Sequence, residues 1–217
     1  TPFSEKEADF LVEVLKTPFI KVASMDLNNL PFLEYLASKA KPILFSTGMG
    51  TLSEIDQAVR TIESAGCKQI AILHCVAEYP PDDALVNLRR IDTLKCQYPR
   101  YAIGFSDHTL GTTIPIAAIA LGAIVIEKHV TLDKNMQGWD HKVSATPEEL
   151  SAIVDAARRI PLALGGGRIE VVESQERRAE FRRGAVASRA LCVGHVLRCE
   201  DVVFKRPARG INPDEIK

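Results

Sequence analysis

Tyr101-Ala102-Ile103-Gly104-Phe105-Ser106-Asp107-His108 and Ala123-Ile124-Val125-Ile126-Glu127-Lys128-His129 follow one plan, a short apolar run that ends in charged and imidazole side chains. Runs that are apolar along nearly their whole length read as strands covered on both faces, the situation in a parallel sheet. Working outward, strands are expected at residues 20–24, 42–47, 70–76, 101–106 and 123–130. Their starts lie 22, 28, 31 and 22 residues apart, the length of a strand-helix repeat. Amphipathic stretches at 29–40, 53–65, 87–97 and 112–121 supply the intervening helices, with Ser53 expected to cap the second of them. A leader helix over 5–16 starts after Ser4, whose capping partner is Glu7, and another helix opens at Thr146-Pro147-Glu148-Glu149. Gly165-Gly166-Gly167 reads as a domain boundary. The charged stretch 174–183 reads as a solvated helix or linker, and 185–217 as a small β-rich module.

Composition narrows the function classes. The 27 Lys and Arg balance 28 Asp and Glu, which leaves no global field to hold a polyanion, so nucleic acid is not an expected partner. The apolar run 114–126 is too short for a bilayer and is broken by Pro115 and Gly122, so no membrane span is expected. Five cysteines without a Cys-x-x-Cys pair point to reduced thiols and a cytoplasmic setting. The chain begins at Thr1 with no signal-like segment, and is expected to be a fragment of a longer protein.

A parallel sheet of this kind is either doubly wound or part of a (β/α)8 barrel. No Gly-x-Gly-x-x-Gly follows a strand, and polar residues recur at nearly every strand end, which favours a barrel mouth. His108 and His129 end neighbouring strands about 4.8 Å apart, close enough to share one divalent ion with positions left open for water or substrate. Lys21, Ser24, Ser46-Thr47-Gly48 and Ser106 supply the cation, hydroxyls and freed amides that bind phosphate. Lys128 is a candidate Schiff-base nucleophile, as in a class I aldolase, or a charge partner beside Glu127. His74 reads as a core histidine, His195 as a turn residue, and His141 as either exposed or near substrate. Cys75, with no base near it in sequence, reads as an inert thiol.

Taken together, Thr1-Pro2-Phe3-Ser4, Lys21-Val22-Ala23-Ser24, Phe45-Ser46-Thr47-Gly48-Met49, His74-Cys75 with Tyr79-Pro80, Ser106-Asp107-His108-Thr109, Glu127-Lys128-His129, Asp140-His141-Lys142 and Lys205-Arg206-Pro207 resemble the sialic acid synthase family. The resemblance runs in order over essentially the whole chain. It implies a TIM (β/α)8 barrel, here lacking its N-terminal strands, followed by the start of a small SAF (antifreeze-like) domain. The corresponding boundaries are 1–165 for the barrel part, 166–184 for a linker and 185–217 for the SAF part. A domain-swapped homodimer is also implied.

The implied reaction condenses phosphoenolpyruvate with an N-acyl-mannosamine-type amino sugar, giving a nine-carbon 2-keto acid and phosphate for surface polysaccharide biosynthesis. Position by position, His108 and His129 match metal ligands, for Mn2+ or Mg2+. Thr1, Lys21, Ser24, Ser46 and Ser106 match phosphoenolpyruvate contacts, with Lys21 counted, like the two histidines, among the catalytic groups. Tyr79 and Asp140 match sugar contacts, and Arg206 matches an arginine that reaches the partner's sugar. Gln137-Gly138-Trp139-Asp140 stands where family members often have Pro-Gly-Pro-Asp. A catalytic glutamate of the family belongs before Thr1, so the chain is not expected to be active alone. The competing expectations are a Lys128 Schiff-base aldolase and a noncatalytic sugar-binding relic.

Overall fold

The computed structural model describes residues 1–208 and 210–216. It divides into two units, Thr1–Gly165 and Gly166–Lys217.

In the first unit, the apolar runs form strands β1 (Ile20–Val22), β2 (Ile43–Ser46), β3 (Ile70–Cys75), β4 (Ala102–Asp107) and β5 (Ile126–Lys128). They make one sheet in the order β1-β2-β3-β4-β5 with every neighbouring pair parallel. Sequential order with no reversal is barrel-like, because a doubly wound sheet changes direction at a switch point.

Alternation divides each strand between two faces. Val22, Phe45, Ile72, Ile103 and Phe105 point to one side and build the core with Leu33, Leu36, Ala58, Ile62, Ile91, Leu94 and Ala118. Those helical residues come from α2 (Leu30–Ser38), α3 (Leu52–Ser64), α5 (Arg90–Gln97) and α6 (Thr113–Ala120). The other face carries Lys21, Ser46, Leu73, Cys75, Gly104, Ser106 and Glu127.

The register shows how this second face is shaped. Lys21 lies in the row of Leu44, Ala71 and Ala102, whereas Glu127 lies in the row of Cys75 and Ser106, four residues further along β4. Yet Lys21 Nζ is 3.4 Å from Glu127 Oε1. In a flat sheet β1 and β5 would stand roughly 19 Å apart. Contact therefore requires curling, and a stagger of about one residue per strand step is the shear of a (β/α)8 barrel.

Several local expectations are corrected. Thr51, not Ser53, caps α3: Thr51 Oγ1 accepts from Glu54 N–H at 3.3 Å and Glu54 Oε2 accepts from Thr51 N–H at 2.7 Å. Asp56 stands three residues after Ser53 as Glu54 does after Thr51, but the reciprocal bonds form only between Thr51 and Glu54, so the helix starts one residue after Thr51. The leader helix is short, α1 (Glu5–Asp9), and passes into a π-helical turn at Phe10–Val14. The segment expected as one helix at 87–97 follows a separate turn, α4 (Asp83–Val86), which Asn87 ends in the left-handed region at φ 49°. The loop after β5 leads into α7 (Pro147–Leu164), which has a full capping box between Thr146 and Glu149.

In the second unit, α8 (Gln175–Phe181) precedes an antiparallel pair, β6 (Gly184–Ala187) and β7 (Val202–Lys205). Asp201 is fully buried there, held by His195 Nε2 and Arg189 Nη2, each at 2.6 Å. His195 is thus a structural ligand of Asp201 rather than a simple turn residue.

Gly104 measures how tightly the inner face is filled. A Cβ at this position would lie 2.4 Å from Leu73 Cδ2 and 2.6 Å from the Val125 carbonyl oxygen. Gly104→Ala is expected to cost about 1–3 kcal/mol in urea unfolding, and an unchanged midpoint would contradict the packing described.

Candidate active site

Glu127 is the hub of the concave face. Its Oε1 accepts from Ser106 Oγ at 2.7 Å and pairs with Lys21 at 3.4 Å, joining β1, β4 and β5. Lys21 is 8% exposed and also donates to the Val22 carbonyl at 2.8 Å. Burial pushes its amine below the ordinary lysine range, with Glu127 opposing that shift. Ser24 Oγ accepts from Gly48 N–H at 3.0 Å, fixing the loops after β1 and β2. Ser46 is buried on the same face and its hydroxyl has no partner among the described residues. An unmatched buried hydroxyl is costly unless a ligand completes it, and its chemistry suits phosphate or carboxylate oxygen.

His108 ends β4. Its Nδ1 lies 2.8 Å from the Val76 carbonyl, which can only accept, so Nδ1 carries the proton and Nε2 keeps its lone pair. Burial, followed by the neighbouring His129, lowers the pKa of His108, which favours the neutral ligand form. The His108 and His129 ring centres are 5.4 Å apart. Imidazole nitrogens each about 2.0–2.1 Å from a shared ion place ring centres roughly 5 Å apart, a separation close to the one observed. Among the described residues no group of three His, Cys, Asp or Glu side chains could hold an ion. Tyr79 stacks on His108 at 4.0 Å and approaches His129 at 5.8 Å. Asp140 Oδ2 lies 3.9 Å from His129 Nδ1.

Most of the anticipated residues therefore meet at one mouth: Lys21, Ser24, Ser46, Tyr79, Ser106, His108, His129 and Asp140. Thr1 is exposed at the head of the chain, and Arg206 belongs to the second unit, where its guanidinium lies 6.0 Å from the Phe181 ring.

The Schiff-base reading of Lys128 is corrected. Its ammonium is bound to Asp107 Oδ2 at 2.7 Å and to the Thr109 carbonyl at 2.6 Å, with both charged side chains essentially inaccessible. Strand alternation turns Lys128 to the side opposite Glu127, so it is a structural ion. His74 is a core residue, donating from Nε2 to the Val86 carbonyl at 2.6 Å. His141 braces the following loop through Thr131 Oγ1 at 2.7 Å.

Two features were missed in the sequence. Glu127 as hub is signalled only by the row it shares with Ser106. Cys75 Sγ lies 3.9 Å from His108 Nδ1, which comes from 33 residues away, but that nitrogen carries its proton toward Val76 and offers the thiol no base. Burial raises the Cys75 pKa, so the thiol form is favoured.

A curled parallel sheet with cation, carboxylate, hydroxyls and imidazoles at its strand ends is the arrangement of a barrel mouth. Residues 1–169 match the sequence profile of the NeuB family, and the chain belongs to that family. It is 40% identical over 98% of its length to N,N'-diacetyllegionaminic acid synthase of Campylobacter jejuni, covering 64% of that protein. The crystal structure of N-acetylneuraminic acid synthetase from Leptospira borgpetersenii superposes with TM-score 0.75 at 37% identity, over 83% of this chain and 62% of that one. Spore coat polysaccharide biosynthesis protein spsE from Bacillus subtilis gives TM-score 0.72 at 34% identity, over 99% and 65%. The chain spans a little under two thirds of the length of the curated relatives it first matches.

Removing Lys128 should act on stability. Lys128→Met leaves Asp107 buried without its partner and is expected to cost about 3–5 kcal/mol by urea unfolding. Borohydride with pyruvate should trap no adduct at Lys128, and a Lys128-linked adduct would restore the aldolase reading.

Proposed function

We propose that the protein containing this chain condenses phosphoenolpyruvate with an N-acyl-mannosamine-type amino sugar to give a nine-carbon 2-keto acid and phosphate, as a transferase of surface polysaccharide biosynthesis. The observation that supports this most is the buried Lys21 paired with Glu127, which Ser106 braces, beside the His108–His129 pair. In this reading C3 of the enol phosphate bonds to the sugar aldehyde carbon, whose oxygen takes a proton. Water adds at C2, and the C–O bond to phosphate then breaks.

The chain's own residues divide the work. Lys21 neutralises the anionic ligand, and Thr1, Ser24 and Ser46 donate to its oxygens, while Ser106, whose proton goes to Glu127, lines the same pocket. Glu127 keeps Lys21 and Ser106 in place. Tyr79 and Asp140 hold the sugar. His108 Nε2 and a nitrogen of His129 would hold Mn2+ or Mg2+, with water or substrate oxygen filling the remaining positions. The chemistry such an ion supplies is Lewis-acid polarisation of a carbonyl oxygen.

At the level of architecture, we assign 1–165 to part of a TIM barrel, 166–184 to a linker and 185–217 to the start of a SAF domain. Arg206 is assigned to the sugar site of the partner in a domain-swapped homodimer. A cytoplasmic setting accords with five free cysteines; no helix among the described residues is long and apolar enough to cross a membrane.

Intact protein with Mn2+ should release phosphate from phosphoenolpyruvate only when an N-acyl hexosamine is added. Failure with N-acetylmannosamine, its 6-phosphate and a 2,4-diacetamido-trideoxyhexose alike would contradict the assignment.

The pH profile provides a separate check. Because burial depresses the Lys21 pKa, its charge is lost as pH rises through a value below the ordinary lysine range. The KM for phosphoenolpyruvate should therefore climb earlier on the basic side than for an ordinary lysine. Lys21→Arg, which stays charged, should flatten that limb even if kcat falls; an unchanged limb would assign it to another group.

A further inference from the structure

Trp139 is 97% exposed, an unusual setting for so large an apolar side chain. It sits on the loop 131–145, which is closed directly behind His129: Ala145 N–H donates to the His129 carbonyl at 2.8 Å and Thr131 N–H to the Ala145 carbonyl at 2.9 Å. Within the loop the Asp140 carbonyl accepts from Val143 N–H, Ser144 N–H and Ser144 Oγ at 3.1, 3.0 and 2.7 Å. The His141–Thr131 contact ties the two ends together. Gly138 adopts φ +149°, and a Cβ there would lie 2.7 Å from His141 Cδ2. A braced frame thus holds the indole in solvent, one residue from Asp140, whose carboxylate faces His129 at 3.9 Å.

We propose that Trp139 is a specificity-determining residue whose indole stacks on the C–H face of the amino sugar while Asp140 accepts from the sugar hydroxyls. This rests on the synthase reading of the same site. A sugar presents apolar C–H groups on its faces and hydroxyls at its edges, and an aromatic plane next to a carboxylate complements both. The fixed frame lets the ligand meet a ring whose backbone is already ordered, which limits the entropy lost on binding. A protein partner is a poorer match. The exposed apolar side chains of this loop are Leu132, Met136 and Trp139, a small patch compared with a stable protein interface, and it lies where strand ends receive small ligands.

The chain contains one tryptophan, so subtracting the emission of Trp139→Phe isolates its signal in the intact protein. Titration with N-acetylmannosamine and with a 2,4-diacetamido-trideoxyhexose is expected to shift or quench that signal for the sugar that supports phosphate release. Trp139→Ala should raise the KM for that sugar roughly three- to tenfold, with the loss in KM rather than kcat and with the KM for phosphoenolpyruvate unmoved. Trp139→Phe should recover most of the affinity. An unchanged sugar KM in Trp139→Ala, or emission indifferent to saturating concentrations of both sugars, would overturn the proposal. If phosphate release fails but sugar still quenches Trp139, the synthase reading falls and the stacking role stands.

Discussion

The contact between Lys21 and Glu127 sets the terms for this molecule. These residues stand on the first and fifth strands of one parallel sheet and meet at 3.4 Å, which is attainable only if the sheet rolls so that one face becomes concave. The same roll brings Ser106, Cys75, His108 and His129 around a common mouth. Burying the Lys21 ammonium opposes its charge, and the Glu127 carboxylate offsets that cost. A cation is therefore kept in a sheltered place on the concave face.

Strand alternation then separates two opposite charges that are adjacent in sequence. Glu127 faces the concave side with Ser106, and Lys128 turns to the opposite side to meet Asp107. The first lines the concave face, and the second ties the ends of β4 and β5 together on the opposite face. The Val76 carbonyl adds a further constraint by fixing the His108 tautomer, which directs the free lone pair of that ring away from the backbone.

Strand order and spacing were readable because parallel strands need long apolar runs and each crossover needs a helix of similar length. His108 and His129 were readable for the same reason, since both end such runs. The limits of the reading also have physical causes. Thr51 was passed over as a cap because Ser53 lies in the same short polar stretch, and only the reciprocal Glu54 bond separates them. The role of Lys128 depends on the parity of the register, which a sequence run leaves open by one residue. Glu127 and the Cys75–His108 contact unite residues from different repeats, so no local pattern announces them. His195 was underestimated because its partner Asp201 is buried by the fold of the second unit.

The central claim is that β1 and β5 face each other across one concave surface through Lys21 and Glu127. A double-mutant cycle in urea unfolding, using Lys21→Met, Glu127→Gln and the double variant, tests it most directly. Because Glu127 is partly exposed, the account predicts a coupling of about 1 kcal/mol between the two positions. Additivity within about 0.3 kcal/mol would contradict it.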